Sequence, residues 1–219
     1  MNFPELKAVI FDMDGVLVDS EPLHLIAFQE FFKRFEIAYS AEDNREFLGR
    51  KDIAIAEILI DRHKLGMTPA ALVEAKEEIL SRLLLEDAQP RPGVHSTLAT
   101  LTGLSVPMAV ASSATMPTID LVTHTLNIRK HFANLTSGDE VVHGKPAPDV
   151  YLLAAKRLGV APEKCLVVED TIAGIRAAKS AGMYCVSIPC EATAHQDHSF
   201  ADLRLTSLEE LPVAEIFKV

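Results

Sequence analysis

The sequence predicts an α/β fold: a Rossmann-like core with a parallel sheet, into which an α-helical cap domain is inserted. Two observations carry this prediction. Short apolar runs alternate with amphipathic segments along most of the chain, and one long interval after the first run shows helical periodicity alone. Alternation of strand and helix is typical of right-handed βαβ units, whose helices cover both faces of a parallel sheet.

Five apolar runs predict the strands of the core. Residues 7–12, KAVIFD, lack helical periodicity and end in an acidic residue, which is typical of a fully buried parallel strand. The other runs are residues 106–112, 134–137, 165–169 and 184–188. Between them, apolar residues recur at spacings of three and four, which predicts helices over 94–101, 118–126, 149–158 and 171–181.

The interval between the first two strands predicts the cap. Helical spacing covers residues 23–35, 44–63 and 69–85, which is too much chain for a single crossover helix. Thr68 and Pro69 are a typical N-cap and first helical residue, and QPRPG at 89–93 is a stiff connection back to the core. We therefore expect a core of residues 1–15 and 90–219 and a cap of residues 16–89.

The composition excludes several classes of function. The 219 residues carry 21 Lys and Arg against 31 Asp and Glu, a net charge of −10 without a basic stripe, which argues against a nucleic-acid partner. The sequence has no secretory signal and no run of about 18 apolar residues, so we expect no membrane partner and a cytoplasmic monomer. Cys165, Cys185 and Cys190 form no CxxC pair and suit free thiols in a reducing compartment.

Acidic residues follow two of the predicted strands. Asp12 and Asp14 end the first, where Gly15 allows a tight turn, and Glu169 and Asp170 end the fourth. This edge of an open parallel sheet binds ligands, and a cation relieves the repulsion among clustered carboxylates. Oxygen ligands alone favour Mg²⁺. A solvated acidic turn at Asp12 and an N-cap role for Asp170 stay open as alternatives.

Hydroxyl groups and a lysine follow other strands. Ser112 and Ser113 precede a helix, whose N-terminus is suited to an anion, although ordinary serine capping explains them as well. Lys145 stands between Gly and Pro in HGKPAPD at 143–149 and places a positive charge before another helix. A lysine in a surface loop is the alternative interpretation.

Together and in this order, the motifs resemble those of the haloacid dehalogenase-like phosphohydrolase superfamily. They are FDMDGVLVDSEPLH at 11–24, VASSA at 110–114, HGKPAPD at 143–149 and VVEDTIAGIRAAKSAGM at 167–183, so the resemblance covers essentially the whole chain. The position of the helical insertion is similar to that in the branch with a small helical cap, which contains beta-phosphoglucomutase and sugar-phosphate phosphatases.

The resemblance implies catalytic roles for four residues. Asp12 matches the nucleophile that takes the phosphoryl group as an aspartyl-phosphate. Asp14 matches the general acid and base, and its backbone carbonyl is also a Mg²⁺ ligand in the family. Ser112 and Lys145 match the groups that hold the phosphoryl oxygens.

The resemblance also implies a Mg²⁺ site. Asp170 matches a metal ligand, and Glu169 binds directly or through water, so the predicted metal residues are Asp12, Asp14, Glu169 and Asp170. The complete acidic set favours phosphoryl transfer over dehalogenation. It also favours an enzyme over a non-catalytic binding protein, which stays the remote alternative.

Substrate choice is expected in the cap, which closes over the cleft in family members. Gly49 and Lys51 belong to the cap loop that reaches the active site in relatives, and His24 lies near the hinge. With Ser113 they are the predicted substrate-binding residues. A solvated helix end at Lys51 and a structural role for His24 are the alternatives.

Two reactions remain for a small phosphorylated metabolite. In beta-phosphoglucomutase, an Arg follows the Gly of the cap loop by three residues, where this chain has Asp52. DSEP at 19–22 is the form usual in the phosphatases. We therefore expect hydrolysis of a small phosphomonoester, such as a sugar phosphate, with the mutase reaction as the alternative.

Overall fold

A six-stranded parallel sheet forms the centre of the computed structural model, which describes residues 3–47, 50 and 52–218. The strands are β1 (Ala8–Phe11), β2 (Met108–Ser112), β3 (Asn134–Ser137), β4 (Cys165–Glu169), β5 (Tyr184–Ser187) and β6 (Leu203–Arg204). Their order in the sheet is β3-β2-β1-β4-β5-β6. The predicted α/β class is confirmed. Among the strands of the described residues, only the two-residue β6 was not predicted, because it is too short to show periodicity.

Among the described residues, five helices fall between β1 and β2, and the others alternate with the remaining strands or end the chain. The helices are α1 (Glu21–Lys33), α2 (Ala41–Arg45), α3 (Asp52–His63), α4 (Pro69–Asp87), α5 (Val94–Gly103), α6 (Met116–Thr125), α7 (Asp149–Leu158), α8 (Ile172–Ser180) and α9 (Val213–Phe217). The prediction of one helix over 44–63 is wrong. Ser40 starts α2 earlier through a capping box with Asp43, and α3 begins separately at Asp52.

The strand order places β1 between β2 and β4, and this decides where the functional residues meet. Phe11, the last residue of β1, pairs with Val110 of β2 and with Val168 of β4. Asp12 therefore follows β1 at the level where β2 and β4 end. All four residues of β1 are buried, because helices cover the sheet on both faces.

The helical insertion is joined to the sheet by two segments that run side by side. Asp19 N–H donates to the carbonyl of Gln89 at 2.9 Å, and Arg91 N–H donates to the carbonyl of Leu17 at 3.1 Å. The chain thus enters and leaves α1–α4 through one hydrogen-bonded pair of segments. We propose the same division as the sequence suggested, with residues 16–89 as a cap.

Two further features bear on the sequence-based expectations. Cys165, Cys185 and Cys190 are free thiols, and all three are buried. Within the described part of the chain, none of the helices has both the length and the apolar character that crossing a bilayer requires.

The helical insertion contains a group of packed aromatic rings, which yields a stability prediction. Phe32 is fully buried, stacks on Tyr39 at 5.2 Å between ring centroids and meets Phe31 edge-on at 5.2 Å. Phe32→Ala should lower the free energy of unfolding by about 3–5 kcal/mol, because it removes these contacts and leaves a cavity. Phe35→Ala is the control, since Phe35 is 43% exposed, and should cost about 1 kcal/mol or less. Equal losses in urea denaturation would contradict this assignment of the cap core.

Candidate active site

Lys145 lies between two carboxylates at the carboxyl edge of the sheet. Its Nζ donates to Asp12 Oδ1 and to Glu169 Oε1, each at 2.7 Å, and its side chain is 3% exposed. Burial would lower the pKa of Lys145, but the two carboxylates raise it above its ordinary value, so the group is cationic. Burial raises the pKa of Asp12 to about 7, and the carboxylates of Glu169 and Asp14 add to this against the opposing effect of Lys145.

Glu169 has hydrogen-bond donors on both carboxylate oxygens. Oε1 accepts from Lys145 and, at 2.8 Å, from the hydroxyl of Tyr151, while Oε2 accepts from the backbone N–H groups of Asp170 and Thr171 at 2.8 Å each. Burial alone would raise the pKa of Glu169, but Lys145 and these donors lower it. The carboxylate is thus ionised and fixed, and it holds the ammonium group of Lys145 in place.

Asp170 differs from Glu169 in that one of its oxygens has no partner. Oδ2 accepts from the Thr193 hydroxyl at 3.2 Å and from the Cys190 thiol at 3.3 Å, whereas Oδ1 is buried without a hydrogen bond. Burial, together with the charge of Glu169, raises the pKa of Asp170 well above its ordinary value. A buried carboxylate oxygen without a hydrogen-bond donor is costly, and a cation bound at Oδ1 would offset that cost.

Two glycines leave the space that these carboxylates occupy. A Cβ at Gly174 would lie 1.5 Å from Glu169 Oε1, and a Cβ at Gly15 would lie 2.2 Å from Asp170 Oδ2. Gly15 also has φ of +74°, a conformation that residues with a side chain rarely adopt. The tight turn that the sequence predicted at Gly15 therefore makes room for an acid from a different strand.

The acids at the edge form one group that can hold a metal ion. Asp12, Glu169 and Asp170 each offer an oxygen, and these atoms lie within 4.8 Å of one another. Three carboxylates beside Lys145 leave a formal charge of −2, and oxygen-only ligands suit a hard divalent cation. The side chain of Asp14 is outside this group, so its predicted contact with the metal rests on its backbone carbonyl.

Asp14 faces the helical insertion. Oδ1 accepts from the Ser20 hydroxyl and lies 3.7 Å from His24 Nε2, and Oδ2 accepts from Ser112 Oγ at 3.5 Å. Burial would raise the pKa of Asp14, but His24 and Ser20 lower it. Burial and Lys76 would lower the pKa of His24, but Asp14 raises it. The two groups therefore stabilise each other in their charged forms.

The predicted phosphate-binding residues line a cleft between the sheet edge and the cap. Ser112 Oγ accepts from the N–H of Ala114 at 3.0 Å, and Ser113 lies on the cleft wall with Lys145 and His24. The cleft is bounded by Asp12, Asp14, Glu21, His24, Phe28, Asn44, Phe47, Arg50, Asp52, Ile55, Glu77, Leu80, Ser112, Ser113, Ala114, Thr118, Lys145 and Thr171. The predicted substrate contacts Gly49 and Lys51 lie outside the described residues.

The capping alternatives for two of these motifs are wrong. Thr115 caps α6 by accepting from the N–H of Thr118, and Thr171 caps α8 by accepting from the N–H of Gly174. Ser112 and Asp170 are therefore not the residues that cap these helices. Their side chains are free for the cleft and for the acidic group.

A cluster centred on Lys76 of α4 bounds the cleft on the cap side, and its ion pairs were not predicted. Lys76 is 1% exposed and pairs with Asp52 at 3.1 Å and Glu77 at 2.9 Å. Glu77 Oε2 also accepts from Thr118 Oγ1 at 2.8 Å, which links the cap to α6 of the core. The cationic group of Lys76 is thus neutralised by cap carboxylates in this structure.

Sequence reasoning also missed the residues that support the acids. Ser20 belongs to the DSEP segment and Tyr151 follows the HGKPAPD motif by two residues, so each had a signal in its position. Thr193 and Cys190 had none, because they lie in an irregular loop without periodicity. Their contacts with Asp170 exist only in the folded chain.

The raised pKa of Asp12 yields a prediction about stability and pH. Its pKa rises from 3.8 to about 7 on folding, so the contribution of Asp12 to stability falls as pH rises from about 4 to about 7 and stays at that lower level above. At pH 8 without divalent ions, the free energy of unfolding of Asp12→Asn should therefore exceed that of the wild type by about 2 kcal/mol or more. The difference should vanish near pH 4.

Urea denaturation in EDTA at pH 4, 6 and 8 measures this difference. Asp87→Asn is the control, because Asp87 is exposed on the surface, and it should behave as wild type at each pH. A variant of Asp12 that is less stable than wild type at pH 8 would show that the ionised carboxylate is favourable in the folded protein.

Sequence comparison places the chain among known proteins. The haloacid dehalogenase-like hydrolase family matches residues 6–182. Fructose-1-phosphate phosphatase YqaB of Escherichia coli is 34% identical over 186 residues, which are 85% of this chain and 98% of that protein.

Solved structures agree with this placement. The crystal structure of CbbY from Rhodobacter sphaeroides in complex with phosphate has a TM-score of 0.88 and 31% identity, covering 96% of this chain and 99% of that one. Beta-phosphoglucomutase from Clostridium difficile shares the fold, with a TM-score of 0.82 at 23% identity over 97% of both chains. Since the family match spans most of the sequence and YqaB aligns over nearly its full length, the chain belongs to the haloacid dehalogenase-like hydrolase family.

Proposed function

We propose that this protein is a Mg²⁺-dependent phosphatase that hydrolyses a small sugar phosphate through an aspartyl-phosphate on Asp12. One observation carries the proposal: Asp12 forms an ion pair with Lys145 in the lining of the cleft, and Asp14 of the same turn lines it too. A nucleophile, a fixed cation and a second carboxylate are what two-step phosphoryl transfer requires. The name of YqaB, a fructose-1-phosphate phosphatase, supports a sugar phosphate as substrate.

In the first step, a carboxylate oxygen of Asp12 attacks phosphorus and the bond from phosphorus to the sugar oxygen breaks. Asp14, protonated at the start of this step, gives its proton to that leaving oxygen, and Ser20 and His24 stabilise the carboxylate that results. Lys145 and Ser112 lie where they can hold the phosphoryl oxygens, and the positive charge of Lys145 reduces the repulsion between Asp12 and the anionic substrate.

In the second step, water attacks the phosphorus of the aspartyl-phosphate and releases inorganic phosphate. Asp14 takes a proton from this water and is thereby ready to protonate the next leaving group. Ser20 and His24 hold Asp14 after the first step as a carboxylate, the form that can accept this proton. Over one cycle Asp12 and Asp14 return to their starting states.

The residues present fit Mg²⁺. Asp170 Oδ1, a carboxylate oxygen of Asp12 and the backbone carbonyl of Asp14 would hold the ion, whereas the oxygens of Glu169 are already occupied by Lys145, Tyr151 and backbone donors. When bound, Mg²⁺ supplies positive charge that offsets the carboxylates and the charge on the transferring phosphoryl group. We therefore propose that Glu169 acts through Lys145, or through a water molecule on the ion, instead of as a direct ligand.

The cap favours hydrolysis over the mutase reaction. A mutase must hold the second phosphate of a bisphosphate, which needs a free cation in the cap. Lys76 already pairs with Asp52 and Glu77, so among the described cap residues on the cleft wall Arg50 and His24 carry the positive charge. His24 is engaged with Asp14, so Arg50 is the one available cation, and Glu21, Asp52 and Glu77 on the same wall outweigh its charge where a second phosphate would lie.

The first test is an assay of phosphate release from fructose 1-phosphate and other hexose phosphates. We expect release with MgCl₂, none after exhaustive treatment with EDTA, and recovery when Mg²⁺ is added back. In parallel, beta-glucose 1-phosphate primed with glucose 1,6-bisphosphate is followed for glucose 6-phosphate. Isomerisation without net phosphate release would overturn the proposal in favour of the mutase, and full activity in EDTA would overturn the metal requirement.

The second test concerns the nucleophile. Asp12→Asn should lower kcat by roughly 10³-fold or more, because an amide cannot form the aspartyl-phosphate. Circular dichroism verifies that the variant is folded, and Asp87→Asn controls for loss of a negative charge at the surface. Substantial turnover by folded Asp12→Asn would exclude Asp12 as the attacking group.

A further inference from the structure

We propose that Thr193 and Cys190, in the loop after β5, are positioning residues that orient Asp170 so that only Oδ1 is available to the cation. The inference rests on the proposed Mg²⁺ site. It assigns a function in this chain to a loop that no motif of the sequence marks.

The two oxygens of Asp170 have opposite surroundings. Oδ2 accepts from Thr193 Oγ1 at 3.2 Å and from Cys190 Sγ at 3.3 Å, and Oδ1 accepts from nothing although it is equally enclosed. Oδ2 also lies only 2.2 Å from the position that a Cβ atom on residue 15 would occupy, so it fits only because that residue is Gly15. The carboxylate is therefore confined on the Oδ2 side, and Oδ1 is left as its unpaired oxygen.

The proton of the Thr193 hydroxyl is directed to the carboxylate. The backbone N–H of Cys190 donates to Thr193 Oγ1 at 3.0 Å, so the oxygen acts as an acceptor towards its own loop. A hydroxyl has one proton to donate, and Asp170 Oδ2 at 3.2 Å is nearer than the carbonyl of Cys190 at 3.4 Å. With a cation bound, Asp170 is ionised, and a hydrogen bond to an ionised acceptor is also the stronger one.

The loop is itself tied to the sheet and to α8. His198 is buried, donates from Nε2 to the carbonyl of Thr193 at 2.9 Å and shares a 2.7 Å hydrogen bond with Ser187 of β5 through Nδ1. Gln196 Oε1 accepts from the N–H of Ile172, the first residue of α8, at 2.7 Å. Thr193 is thus fixed relative to the helix that Asp170 precedes.

Such partners of a metal ligand influence the metal itself. A carboxylate ligand with one oxygen fixed by donors is held in its binding orientation before the ion arrives, so less ordering is needed on binding. Loss of a hydrogen-bond partner of a metal ligand typically costs 10–100-fold in metal affinity. We expect a cost in this range for the hydroxyl of Thr193, and a smaller one for the weaker thiol donor of Cys190.

The experiment compares Mg²⁺ dissociation constants, obtained from the rise in melting temperature of the whole protein across a MgCl₂ titration. Thr193→Val keeps the shape and removes the hydroxyl, and Thr193→Ser restores it. Thr97→Val is the matched control, because Thr97 is also buried and donates to a distant carbonyl, that of Leu208, at 3.1 Å. Cys190→Ala is compared in the same way with Cys165→Ala, which removes another buried thiol.

We expect Thr193→Val to weaken Mg²⁺ binding by about 10-fold or more, with Thr193→Ser near wild type and Thr97→Val unchanged. Cys190→Ala should weaken it several-fold and Cys165→Ala should not. A dissociation constant for Thr193→Val within twofold of wild type, or no recovery in Thr193→Ser, would overturn the proposal. If these shifts occur but no phosphomonoester is hydrolysed, the positioning role stands and the proposed function falls.

Discussion

The ion pairs of Lys145 with Asp12 and Glu169 are the interaction on which the site depends. Without Lys145, three buried carboxylates would face one another in a medium of low dielectric constant, where unpaired charges are costly. With it, a formal charge of −2 remains, and burial together with the neighbouring carboxylates raises the pKa values of Asp12 and Asp170. The protein thus leaves uncompensated the charge that one divalent cation would balance.

The sheet brings these groups together from distant parts of the chain. Because β1 lies between β2 and β4, the residues that end these strands share one edge, and α7 and α8 begin beside it. The same edge tolerates so many side chains because Gly15 and Gly174 have none. Backbone topology, rather than local sequence, therefore explains why the acidic motifs at residues 12–14 and 169–170 lie in one site.

Strand-end motifs could be predicted because each one follows a buried apolar run, and parallel strands place their carboxyl ends at a common edge. That reasoning found Asp12, Asp14, Glu169 and Asp170, and the resemblance added a role for each. It could not separate Glu169 from Asp170, because the two residues are adjacent in sequence and differ only in the donors that surround them after folding. For the same reason it missed Tyr151 and Thr193. Separately, it joined α2 and α3 into one helix, because helical spacing alone does not show where one helix ends and the next begins.

The two walls of the cleft differ in charge. The core wall presents Lys145, the hydroxyl of Ser112 and the proposed cation site, all of which attract a phosphate. The cap wall presents Glu21, Asp52 and Glu77, and the described cations nearby are Arg50 together with Lys76 and His24, both of which are held in ion pairs. For the proposed monoester substrate, these charges favour one orientation, with its phosphate towards Asp12 and its hydroxyl groups towards the cap carboxylates, which can accept their hydrogen bonds. A second phosphate on the leaving group would face this acidic wall, which is the electrostatic reason to favour hydrolysis of a monophosphate over exchange through a bisphosphate.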